Sequence, residues 1–193
     1  MPIKKQSPLE FKKAVLKVIR FLEKEKVDYF LLGGLAVSVL GEPRFTYDLD
    51  LDIFLKKEEI PSLLEKAKKA AFQVNAKEVI ENVQQFGTFR LFLKHLQVDF
   101  ILASTEMEQS ALRRRQKIKL FGKPIYFPSA EDLILLKVIP GRTKDLTDAE
   151  SIVLRHQKTL DRRYLEEWAR KICEEAEDFK IMRRLQGLWR ALG

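Results

Sequence analysis

The sequence predicts an α/β (α+β) fold, a mixed sheet flanked by helices and followed by a C-terminal helical subdomain. Three observations carry this expectation. Apolar runs of strand length alternate with helix-period segments up to about residue 127. Between 47 and 53, acidic residues alternate with apolar or aromatic ones, the period-two pattern of a strand with one polar face. Beyond Pro128 the strand pattern stops and each apolar segment has helical spacing. The expected division is 1–127 for the α/β core and 128–193 for the helical subdomain, with no internal repeat and no low-complexity linker.

Taken in order, Ser7 caps a first helix, Pro8 suits its first position and Glu10 closes a capping box. Phe11, Val15, Val18 and Leu22 follow at helical spacing, and the helix is expected to end near Lys26. Residues 27–32 read as a strand that runs into Gly33-Gly34, and 35–40 as a short helix stopped by Gly41. The acidic strand follows, then a Lys-rich helix over 57–71. Residues 86–94 and 96–102 read as a hairpin turning at Lys94-His95. A helix is expected over 106–116, and two short strands over 117–127, broken at Gly122-Lys123-Pro124. Ser129 caps a helix that Pro140-Gly141 ends, and helices around 145–156, 160–176 and 179–192 complete the tail.

With 193 residues, 46% of them hydrophobic and 10% aromatic, the chain can build a sizeable core, which excludes a disordered segment or a disulfide-stapled miniprotein. No run approaches the roughly 20 apolar residues that span a bilayer. The first residues lack the apolar stretch of a secretory signal and Cys173 stands alone, so the cytoplasm is the expected compartment and no membrane partner is expected. The net charge of +8 favours polyanionic partners, nucleic acid, nucleoside triphosphates or an anionic membrane surface; a solvated Lys-rich surface is the equally weighted ordinary reading.

Chemistry concentrates in Gly33-Gly34, thirteen further residues, and then Asp48-Leu49-Asp50. A strand turning through two glycines into a helix presents bare backbone N–H groups at a helix N-terminus, which suits phosphate. Asp48 and Asp50 project to the same side of their strand. Two adjacent carboxylates repel, and a divalent cation is the usual reason to keep them together; Mg²⁺ takes a few carboxylates plus substrate phosphate oxygens.

These residues resemble the signature of the DNA polymerase β-like nucleotidyltransferase superfamily. Within it, the likeness is to small bacterial and archaeal enzymes grouped with the AbiEii toxins and the minimal nucleotidyltransferases. It rests on Gly33-Gly34-Leu35-Ala36, on 43–50 (Pro43-Arg44-Phe45-Thr46-Tyr47-Asp48-Leu49-Asp50), on Val98-Asp99, and on 133–137 and 142–148; it reaches from about residue 27 to 154. The resemblance implies transfer of a nucleoside monophosphate from an NTP, ATP among them, to an acceptor hydroxyl, with pyrophosphate released and with Mg²⁺ or Mn²⁺ as cofactor. It implies Asp48, Asp50 and Asp99 as the catalytic, metal-binding carboxylates. Gly33, Gly34, Arg44, Thr46, Lys137 and Arg142 are the candidates for nucleotide contacts. Many relatives carry Ser after the first glycine; here Gly34 stands there, which leaves backbone N–H groups or Ser38 to meet phosphate.

Each residue also has an ordinary reading. Arg44 and Thr46 serve equally well as loop hydrogen-bonding residues, and Lys137 as a snorkelling surface Lys. Arg142, Lys144, Asp145 and Asp148 fit helix-start charges and salt bridges. Asp52 is expected to be a supporting or partly solvated carboxylate rather than a third metal ligand, and Arg113-Arg114-Arg115 a solvated helix face that could instead hold RNA. His95 and His156 lack metal-ligand spacing. The acceptor is expected to be tRNA or another RNA, given the basic balance. A small, antibiotic-type molecule is the first alternative. The second is a catalytically silent nucleotide- or RNA-binding component of a toxin–antitoxin pair, with an antitoxin protein as partner.

Overall fold

The computed structural model describes residues 7–190, which fall into two compact units. One holds the chain up to Leu35 together with Phe45–Phe127; the other holds Ala36–Arg44 and the chain from Pro128 onward. The stretch 36–44 thus belongs with the helical tail although it lies inside the α/β half of the sequence.

The first unit opens with α1 (Pro8–Lys24). Ser7 Oγ accepts the Glu10 N–H at 3.3 Å and the Glu10 carboxylate accepts the Ser7 N–H at 3.0 Å, closing the capping box. The helix buries Phe11, Val15, Val18, Ile19, Phe21 and Leu22. A four-stranded sheet follows, built from β1 (Asp28–Leu31), β2 (Asp48–Phe54), β3 (Thr88–Leu93) and β4 (Leu96–Leu102). Its spatial order is β1-β2-β4-β3, with β2 and β4 parallel and both outer pairs antiparallel.

Strand alternation gives the sheet two unlike faces. Leu49, Leu51 and Ile53 of β2, Val98 and Phe100 of β4, and Phe89 and Leu91 of β3 all point to one side and are buried. The Phe89 and Phe100 rings stack there at 4.7 Å, and each such side chain contributes about 1.5–3 kcal/mol by leaving water. The opposite side carries Asp48, Asp50, Asp52, Arg90 and Asp99. Helix α5 (Glu106–Arg114) packs against β1 and β2, and the hairpin of β5 (Gln116–Leu120) and β6 (Lys123–Phe127) lies against β1.

Two helices stand between β2 and β3: α3 (Ile60–Lys69), in the expected Lys-rich stretch, and α4 (Ala76–Phe86), which sequence pattern did not announce. Only Val79 and Val83 of α4 are buried, too thin an apolar stripe to register as periodicity. Its ends were legible: Asn75 caps the Glu78 N–H at 3.4 Å, and Gly87 takes the left-handed conformation (φ 67°) that ends helices. The hairpin accordingly starts at Thr88, two residues later than expected.

The second unit contains α6 (Ala130–Val138), α7 (Thr143–His156), α8 (Arg162–Ala176) and α9 (Lys180–Arg190). The expected end of the last helix at Leu192 lies outside the described residues. Ser129 caps α6, and the fully buried Asp132 accepts hydrogen bonds from Ser129 Oγ at 2.8 Å and from the Tyr164 hydroxyl at 2.6 Å. Arg184 donates to the carbonyls of Val138 and Ile139, satisfying acceptors that the end of α6 would leave open. Cys173 is buried in α8, and no described helix is long and apolar enough to cross a membrane.

Candidate active site

Helix α2 (Gly33–Leu40) begins at the end of β1, and its first two residues have to be glycine. Gly33 has φ of +59°, and a Cβ there would overlap the carboxylate of Asp50. A Cβ on Gly34 would come within 2.7 Å of Thr46 Cβ. The double glycine therefore lets the turn lie directly against the carboxylate strand. Leu32 N–H donates to the Asp50 carbonyl at 2.8 Å and fixes the turn beside that residue.

Along β2 the acidic side chains share one face but differ in exposure. Asp48 is exposed, Asp50 half-buried and Asp52 fully buried. Thr46 Oγ1 accepts the Asp48 N–H at 3.3 Å, so Thr46 shapes the entry to the strand. Asp99 lies opposite Asp50 in the parallel β2/β4 register, which puts its side chain on the same face. Arg90, opposite Asp99 on β3, holds it from both nitrogens: Nε to Oδ1 at 2.6 Å and Nη2 to Oδ2 at 3.2 Å. Gln97 Nε2 donates to the same Oδ2 at 2.9 Å. The hydrogen bond to Asp99, with the charges of Asp48 and Asp50 behind it, raises the Arg90 guanidinium above its ordinary pKa.

Asp52 departs from the partly solvated carboxylate that the sequence led one to expect. Neither of its oxygens makes a hydrogen bond of ordinary geometry, although the Ile53 N–H lies near enough to favour the charge slightly. Burial, and then the charge of Glu108 on α5, push its pKa up to about 8. The cause is α5, which packs over this end of the strand; alternation alone cannot show which end of a polar face a later helix covers.

The other sequence-derived candidates lie in the helical unit. Lys137 Nζ is 3.0 Å from Asp145 Oδ1 and 3.0 Å from Asp148 Oδ2, and Arg44 Nη2 is 3.1 Å from Asp148 Oδ2. Arg44 and Lys137 thus flank one buried carboxylate, and Ser38 Oγ bonds both the N–H and the carbonyl of Arg44. Arg142 is exposed at the start of α7. Of the basic run, Arg115 pairs with Asp28 and stacks on Tyr126, 4.6 Å from the ring centre, so it is a structural residue rather than part of a solvated face. His156 Nε2 bonds the Leu40 carbonyl at 2.9 Å.

Asp48 and Asp50 offer hard oxygen donors on one open face, which fits Mg²⁺ or Mn²⁺. Among the described residues no group of three His, Cys, Asp or Glu is drawn close enough to hold a metal as it stands; Asp99 is engaged by Arg90 instead. Sequence reading missed Arg90 and Gln97, although a turn at Lys94-His95 sets a register in which Arg90 faces Asp99.

A mixed sheet with two acidic residues on one strand, a third on its parallel neighbour and a Gly-Gly turn against them defines a nucleotidyltransferase fold. Residues 13–191 match the model of a family described as nucleotidyltransferase of unknown function (DUF6036), and the chain belongs to that family. No curated protein matches it. Among solved structures, it is similar to the antibiotic-resistance factor ANT(2'')-Ia at a TM-score of 0.61 and 14% identity, over 89% of this chain and 97% of that one. The lincosamide antibiotic adenylyltransferase LnuA, lincomycin-bound, matches at 0.51 and 16%, over 72% and 94%. JHP933 from Helicobacter pylori matches at 0.51 and 15%, over 97% and 95%. At such identities the likeness is one of fold.

Proposed function

We propose that this nucleotidyltransferase moves a nucleoside monophosphate from an NTP to an acceptor hydroxyl, using the β2 face as its catalytic surface. The observation that carries this reading is the contact between Gly33 and Asp50, which brings a phosphate-suited backbone turn against a metal-suited carboxylate. Asp48 and Asp50 would hold Mg²⁺ or Mn²⁺, which when bound supplies charge stabilisation on the phosphate oxygens. The acceptor oxygen forms the new bond to the α-phosphorus as the bond to pyrophosphate breaks, and the hydroxyl proton needs an acceptor. Asp99 is suited to take it, because its Oδ1, which among the described residues accepts only from Arg90 Nε, keeps a further acceptor direction. Arg90 holds that carboxylate in place.

RNA is the acceptor class we favour, on the net charge of +8. A small-molecule acceptor draws support from the antibiotic-modifying proteins that share the fold. The test is transfer of label from each α-labelled NTP, with Mg²⁺ or Mn²⁺, to total RNA and separately to aminoglycosides and lincosamides. Asp48→Asn and Asp50→Asn should each lower transfer by at least about 10³-fold, on the scale of losing a principal charge-stabilising group. An active Asp50→Asn enzyme would overturn the metal assignment.

A further inference from the structure

We infer that the outer face of α1 is a docking track for a nucleic-acid phosphate backbone, separate from the carboxylate site. Lys13, Lys17, Arg20 and Lys24 follow one another at +4, +3 and +4, which places them in a single line on the helix, and all four are exposed. The line is about 16 Å long at 1.5 Å per residue, roughly the rise of five phosphates along one strand of a duplex.

Neighbouring elements extend the line at both ends. A groove runs from Lys17, Arg20 and Lys24 to Lys66 and Lys69 of α3. A second shares Lys17 and runs from Lys13 to Lys94 and His95 at the β3/β4 turn. Only two acidic residues line these grooves, and both are engaged. Glu10 is held by Ser7 in the capping box, which lowers its pKa, and Glu25 takes Lys66 at 2.9 Å. Glu23 also sits beside Arg20, but the cations outnumber the carboxylates around them, which is the electrostatic footprint of a polyanion site.

Two further observations choose the partner and the place. Most apolar residues of α1 are turned into the core; Leu9 in its first turn is exposed and Leu16 half-buried, which is little apolar surface to insert into lipid compared with what a membrane-surface helix requires. A regular row of exposed cations matches repeating phosphates. The track also lies behind the sheet. Tyr29, which shares its face with Ile53 and not with the aspartates, donates to Glu23 of α1 at 3.4 Å. The proposal therefore stands whether or not the carboxylate reading holds.

The experiment measures binding of a labelled 30-nucleotide RNA, single-stranded and duplexed, and of a DNA duplex of the same sequence, between 50 and 200 mM salt. Phosphatidylserine vesicles form the competing arm. Changing Lys13, Lys17, Arg20 and Lys24 together to Ala should reduce the log–log salt slope by about 3, the value for four lost phosphate contacts. Changing Lys117, Lys119 and Lys123 to Ala, an equally exposed basic set on the β5/β6 hairpin, should alter it by less than half of that. Lys66→Ala with Lys69→Ala, on a different helix, should weaken binding in the same direction and guards against misfolding of the α1 variant. The single-strand and duplex arms identify the form of nucleic acid. Absence of binding to every nucleic acid at 50 mM salt, equal loss in the α1 and hairpin variants, or tighter binding to the vesicles would overturn the proposal.

Discussion

Strand β2 and helix α7 each bury an aspartate, and the two are treated in opposite ways. Asp148 on α7 is met by two cations, Lys137 and Arg44, while Asp52 on β2 is met by none. A buried carboxylate without partners is driven to hold its proton. The difference teaches where each unit tolerates charge. Around Asp148 the helical unit neutralises charge locally, in a network that includes Asp145 and ties α6, α7 and the 36–44 segment together. The α/β unit instead leaves a gradient along one strand, from exposed Asp48 through half-buried Asp50 to sealed Asp52. Its accessible end can receive a cation from solvent.

The largest effect should come from breaking the paired side. Lys137→Met leaves Asp145 without its cation and Asp148 with Arg44 alone; the three side chains are only 12%, 15% and 6% exposed. Removing one partner from a buried ion network typically costs about 3–5 kcal/mol, and urea unfolding should show a loss near the lower figure because Arg44 remains. A loss below about 1 kcal/mol, the range of a surface pair, would mean that the network is solvated and the comparison with Asp52 unfounded.

On the unpaired side the expected effect is read as a slope against pH, smaller over any single pH unit than the loss expected for Lys137→Met. With its folded pKa raised to about 8 from an ordinary 3.8, Asp52 is protonated in the native chain and ionised in the unfolded one throughout the interval between. The native state then binds more protons, so stability falls as pH rises, by up to about 1.4 kcal/mol per unit. The contribution is fully present below about pH 4 and is lost by about pH 8. Asp52→Asn cannot ionise, so its metal-free stability should decline less across that window and should exceed that of the parent at pH 8. Parallel pH profiles would show instead that a counter-charge reaches Asp52.

How much of this contrast was legible beforehand follows from the range of each interaction. The Gly-Gly turn, the Asp48 and Asp50 face and the Lys94-His95 hairpin are local, set by residues a few positions apart, and the sequence showed them. The pairing of Lys137 with Asp145 spans eight residues over a helix break, and salt bridges within 142–148 were a weighed alternative. Arg44 reaching Asp148 spans 104 residues, and no local pattern could supply it. The sealing of Asp52 likewise depends on α5, more than fifty residues onward, and α4 buries too few side chains to leave a periodic trace. Arg90 was the avoidable omission: the hairpin register, once accepted, places it opposite Asp99.

The smallest effect sharpens the comparison at the proposed catalytic end. Arg90 pairs with Asp99 on the β2/β4 face, and it sits at half exposure, 52% for its side chain. Solvent screening there keeps the stability cost of Arg90→Gln below about 1 kcal/mol. Its influence on metal should be clearer, because the guanidinium and a divalent cation compete for the same Asp99 oxygens. If Asp99 joins Asp48 and Asp50 around the metal, removing Arg90 frees a ligand and takes a positive charge away from the site. Half-saturation by Mg²⁺ should then fall several-fold while transfer at saturating Mg²⁺ falls about tenfold, since Asp99 loses the contact that orients it. Titrating Mg²⁺ in the transfer assay for the parent and the Arg90→Gln enzyme separates these effects. An unchanged half-saturation with a lowered maximum would confine Asp99 to accepting the hydroxyl proton, leaving Asp48 and Asp50 as the metal's only protein ligands on that face.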